Sequence, residues 1–146
     1  MKYIKKITSD ELNEALKKAY DVLPKEEFWE VRGLEATDND LCYSSIDNSV
    51  YFHFRNSDSN FGYFAIQKKV ENIRAVYEFL YTLVEEGIGY IKFCSSKGRY
   101  NIILKHFIAI FQDKEVTEKQ LEKKDHYIWY IGHPENIKRF EKRINR

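Results

Sequence analysis

The stretch that most limits how this chain can fold is residues 61–111, where the spacing of apolar residues alternates twice between strand-like and helical. Phe61-Gly62-Tyr63-Phe64-Ala65-Ile66 is a short apolar run. Over residues 72–86, Ile73, Val76, Tyr77, Leu80 and Val84 form a helical stripe that Gly87 should stop. Residues 88–94 return to an extended pattern. Tyr100, Ile103, Leu104, Phe107, Ile108 and Phe111 then repeat the helical spacing. A strand-helix-strand-helix succession predicts an α/β chain.

The rest of the chain extends that pattern. Residues 3–7 read as a first strand, with Tyr3 and Ile7 flanking lysines. Thr8-Ser9-Asp10-Glu11 matches a capping box, in which a hydroxyl and a carboxylate each satisfy a free backbone amide. Leu12, Ala15, Leu16, Ala19 and Leu23 follow at helical spacing, and Pro24 ends the helix. Residues 28–32 are strand-like. Residues 41–46 and 49–55 are extended runs across an Asp47-Asn48 turn. In the second run Val50, Phe52 and Phe54 share one face. Tyr51, His53 and Arg55 share the other, which period-two alternation assigns to solvent or a partner. Residues 112–125 are dominated by Lys, Glu and Asp, and Thr117-Glu118-Lys119-Gln120 could cap a short exposed helix. A dense β run, His126-Tyr127-Ile128-Trp129-Tyr130-Ile131, precedes a terminal helix over residues 135–146 with Ile137, Phe140 and Ile144 on one side.

Composition narrows the classes of function. A length of 146 residues suits one domain, residues 1–146. A fold of that size hides about 68–70% of the surface its unfolded chain exposes, so neither a metal nor a disulfide is required. The 24 basic and 23 acidic residues leave a net charge of +1, which argues against nucleic-acid coating as the main role. Cys42 and Cys94 have no metal-ligand spacing and read as ordinary thiols. His53, His106, His126 and His133 form no pair three or four apart, so no metal site is expected. No apolar run approaches the roughly 20 residues that cross a bilayer. Met1 to Lys6 shows no charged-then-apolar leader, so the expected compartment is the cytoplasm.

The predicted order is strand, helix, three strands, helix, strand, helix, strand, then a terminal helix. This order resembles the GNAT-type acyl-CoA N-acyltransferase fold over nearly the whole chain. The resemblance implies an α/β (α+β) domain with a mixed, mainly antiparallel central sheet and helices on both faces, plus a C-terminal helix. It also implies that the loop after the fourth strand holds the pyrophosphate of acetyl-CoA on backbone amides at a helix N-terminus, where glycines admit the phosphate. The corresponding residues are Gln67, Lys68, Lys69, Val70, Glu71 and Asn72. Gln67 fits the family pattern. Val70 and Asn72 replace its glycines, and Glu71 adds a carboxylate that competes with phosphate. Lys68 and Lys69 supply some compensating charge. In the family, the helix after the fifth strand often carries a tyrosine that protonates the departing thiolate. Tyr100 and His106 are the matching candidates here; the reading without chemistry, which is favoured, packs Tyr100 in the core stripe and leaves His106, with Lys105, on a solvated face.

These departures favour a degenerate GNAT-like domain that binds a protein partner, with no cofactor expected. The first alternative is a working N-acetyltransferase with acetyl-CoA on residues 67–72 and Tyr100 or His106 as proton donor. A distant alternative is single-stranded RNA binding through Phe61, Tyr63 and Phe64, whose strand faintly resembles the aromatic strand of RNA-recognition domains. For a protein partner, Tyr51, Tyr127 and Trp129 are candidates for an exposed aromatic face. The terminal helix offers Lys138, Arg139, Lys142 and Arg143, which either face water or dock an acidic partner. The Lys-, Ile-, Asn- and Tyr-rich composition looks like that of accessory proteins of bacterial viruses or low-GC bacteria.

Overall fold

Thr8 opens the first helix as its sequence predicts. Its hydroxyl accepts from the Glu11 amide at 3.1 Å, and the Glu11 carboxylate accepts from the Thr8 amide at 3.3 Å. That reciprocal pair starts α1 (Ser9–Val22), and Leu12, Leu16 and Ala19 make its buried face. The computed structural model describes residues 1–22, 33–46, 48–55, 61–65, 73–94 and 126–145.

The described residues hold six strands. They are β1 (Ile4–Lys6), β2 (Leu41–Ser45), β3 (Val50–Phe54), β4 (Phe61–Ala65), β5 (Tyr90–Cys94) and β6 (His126–Tyr130). The first four form one antiparallel sheet in the order β1-β2-β3-β4, and β5 and β6 form a separate antiparallel pair. Ser45 donates to the Ser49 carbonyl to close the β2–β3 hairpin. Asn48 takes φ 60, a left-handed conformation that asparagine tolerates. The second helix, α2 (Ile73–Glu85), ends at Gly87 as expected. Gly87 has φ 85, and the Gly87 and Ile88 amides return to the Val84 and Leu83 carbonyls. In α3 (Pro134–Ile144), the His133 imidazole accepts from the Glu135 amide at 3.2 Å and Pro134 takes the first turn.

These observations correct the expected fold class. The described residues hold three helices, and their six strands fall into two sheets with no parallel pair in either. The described part is an α+β arrangement, not one mixed central sheet in a GNAT-like order with four helices. The physical reason lies at β5. A helical crossover from β4 suggests a parallel neighbour, yet β5 lies near β4 and makes its backbone ladder with β6 instead. The predicted strand over 28–32, the helix over 100–111 and the capped segment over 117–120 lie outside the described residues, as does Asp47.

The core is built on α2. Ala75, Val76, Phe79, Leu80 and Leu83 are all buried, so the helix is covered on more than one side. Phe79 meets the sheet through Tyr43 and Tyr51, with ring centroids 6.2 and 5.4 Å away. Tyr77 turns toward α3 and meets Phe140 at 6.3 Å. Sheet register puts Tyr43 and Tyr51 on one face and Cys42, Val50 and Phe52 on the other. Helix α1 packs on the second face, so every residue of β3 is buried. Asn13 ties α1 to the loop before β2 by bonding both the amide and the carbonyl of Ala36.

Candidate functional site

Helix α3 is amphipathic, and the structure shows which side faces inward. Phe140 is fully buried against α2, and Ile137 and Ile144 are partly buried beside it. At 3.6 residues per turn, Lys138, Arg139, Lys142 and Arg143 sweep an arc of about 140° away from that anchor. Lys138, Lys142 and Arg143 are exposed, and Arg139 is half-buried. Lys138, Lys142 and Arg143 make no ion pair with another described residue; the described ion pair, Arg55 to Glu86 at 3.0 Å, lies elsewhere. Glu141 sits outside the arc and accepts from the Tyr81 hydroxyl at 3.3 Å.

Two aromatic rings brace the cations. The Arg143 guanidinium lies 5.9 Å from the centre of the Tyr77 ring. Arg74, in the first turn of α2, lies 5.8 Å from the Tyr3 ring and donates to its hydroxyl at 3.2 Å. Tyr3 in turn donates to the Ile144 carbonyl at 3.4 Å. Arg74, Tyr3, Tyr77 and the end of α3 are thus one contiguous cationic face. Stacking on a ring limits the freedom of a guanidinium and so lowers the entropy lost when it engages an anion. No local pattern marks Arg74 as part of this face, because only the packing of α2 on α3 brings it there.

The chemistry of this face is that of fixed charge. Burial pushes the Tyr77 phenol up, and Arg143 and Arg139 only partly counter it, so the group stays protonated near neutral pH. Tyr81 is also raised, chiefly by the Glu141 carboxylate and then by burial. Neither supplies a proton-transfer group tuned to neutral pH. Cys42 is no nucleophile, since burial foremost and then Asp40 raise its thiol from 9.0 to about 11. No cluster of three metal-binding side chains occurs among the described residues, and no helix among them is long and apolar enough to cross a membrane.

The other predicted site residues divide three ways. Tyr51 is corrected: it is 0% exposed, packed against Phe79, and cannot belong to a surface. The outward-facing side expected for β3 is covered by α2, and His53 is buried with it. Tyr127 and Trp129 lie on β6 opposite Phe93 and Ile91, two residues apart and so on one face of that ladder. Phe61, Tyr63 and Phe64 lie on β4, paired in register with Phe54, Phe52 and Tyr51. Gln67, Lys68, Lys69, Val70, Asn72, Tyr100 and His106 lie outside the described residues. Neither a family model nor a curated protein matches this chain.

Proposed function

We propose that this protein is a non-enzymatic interaction module that docks an acidic protein surface through the outer face of α3 and Arg74. The observation that carries the reading is the cationic arc of Lys138, Arg139, Lys142 and Arg143, held outward by the buried Phe140 anchor. Its charge is local, since the whole chain has a net charge of only +1. A field of this kind steers an acidic partner and fixes its orientation. The reading places the protein in the cytoplasm and requires no cofactor. Val70, standing where the resemblance calls for glycine, supports that absence of acetyl-CoA chemistry.

The test is charge reversal on the exposed side of α3. A Lys138→Glu, Lys142→Glu, Arg143→Glu variant retains its circular dichroism spectrum and loses the partner that the unaltered protein captures and cross-links through Lys138 or Lys142. Equal capture by the variant contradicts the reading. Calorimetry with millimolar acetyl-CoA gives no heat on this account, whereas saturable binding supports the acyltransferase alternative.

A further inference from the structure

A second surface lies along β1, which among the described residues is an edge strand of the four-stranded sheet. Ile7 donates to the Cys42 carbonyl, so the alternation of an antiparallel ladder turns the backbone groups of Lys6 and Ile4 away from β2. The Ile4 amide is already taken by Glu78 at 3.0 Å. The Ile4 carbonyl and both backbone groups of Lys6 remain directed outward.

A groove of about 720 Å³ adjoins this edge, between α1 and the β2–β3 hairpin. That is within the range of about 300–1,000 Å³ typical of ligand clefts. Ile7, Ala15 and Val50 supply apolar lining, and Met1 and Ile46 stand at 70% and 86% exposure beside it. Lys2, Lys5 and Lys18 also line it and form no ion pair among the described residues. Of its two acids, Glu11 is held by the capping box at Thr8, which leaves Glu14 against three ammonium groups.

We propose that β1 and this groove take up an extended acidic peptide as a fifth strand of the sheet. Lysines on a strand edge deter pairing with a second copy of the same edge through like-charge repulsion. The same lysines complement a strand with alternating carboxylates, so one feature excludes self-association and selects the ligand. The backbone edge supplies hydrogen bonds, and the lysines of the groove face the alternate carboxylates. This surface uses none of the α3 cations and stands whether or not the α3 face binds a partner.

The probe is the capped peptide Asp-Val-Glu-Val-Glu-Val, followed by calorimetry and amide chemical shifts. The expected result is saturable binding that shifts the Lys5, Lys6 and Ile46 amides. Binding weakens at least tenfold when lysines replace the acids of the peptide, when its central amides are N-methylated, or in a Lys5→Glu, Lys18→Glu variant. Lys6→Pro removes only an outward amide, as edge strands tolerate, and weakens binding equally. An Arg139→Glu, Arg143→Glu variant binds the peptide as tightly as the unaltered protein. No binding at millimolar peptide, undiminished binding of the N-methylated or lysine peptide, or loss of binding in the α3 variant overturns the proposal.

Discussion

Glu78 is the residue whose chemistry most needs explaining, because it is a carboxylate only 5% exposed on the central helix. Burying such a charge without partners is costly. Here one oxygen accepts from the Tyr3 and Ile4 amides and the other from the Lys2 amide, all at 3.0 Å. Three successive amides of the N-terminal strand therefore close on one helix side chain. Glu78→Ala strands those donors and lowers stability by about 1–3 kcal/mol in urea unfolding. Hydrogen exchange at Lys2, Tyr3 and Ile4 quickens in the same variant, and unchanged exchange there counts against the tie. Cys42 gives a second expectation. Its thiol titrates near 11 in the fold against an ordinary 9.0, so the unfolded chain loses its proton first as pH rises. Between those values the unfolded state binds fewer protons, so this group makes stability fall with rising pH. Below pH 9 it contributes no pH dependence, and peptide mapping finds Cys42 resistant to alkylation until the protein unfolds.

Among the elements, α2 and α3 form the pair on which the cationic face rests. Phe140→Ala removes a fully buried ring between them, and a loss of about 3–5 kcal/mol is expected from denaturant unfolding. Gly87→Ala forces a side chain into φ 85 and costs about 1–2 kcal/mol, although nothing crowds the new methyl group. These elements were also the part most legible in the sequence. Thr8, Glu11, Gly87 and the spacing of Leu12, Leu16, Val76 and Leu80 act locally, so local pattern finds them. Tyr51 and His53 were misjudged because their alternation with Val50, Phe52 and Phe54 looks amphipathic. Only the long-range cover of α2 shows that both faces of β3 are buried. Phe79 and Leu83 fell outside the apolar stripe read along α2 for the same reason: a helix wrapped on several sides no longer shows one clean face. Pairing was less legible still, since a strand pattern does not say which edge β5 will join.

At the scale of the whole molecule, near-neutral charge hides a polarised surface. The net charge of +1 says nothing of where the cations sit. In α3 the last turn carries Lys142 and Arg143 and the first carries Glu135, an order that also suits the helix dipole. The basic character of this helix was readable from composition; its coupling to Arg74, Tyr3 and Tyr77 was not, because those residues meet it only in the folded chain. Exposed charges are screened over about 10 Å at 0.1 M salt, so docking through this face must weaken steeply as salt is added. The most direct test is calorimetry of the protein against its cross-linked acidic partner across a salt series, with and without Arg139→Glu and Arg143→Glu. The account predicts affinity that falls about tenfold or more with salt in the unaltered protein and is weak at every salt concentration in the variant. Equal affinity of the two proteins, indifferent to salt, would contradict it.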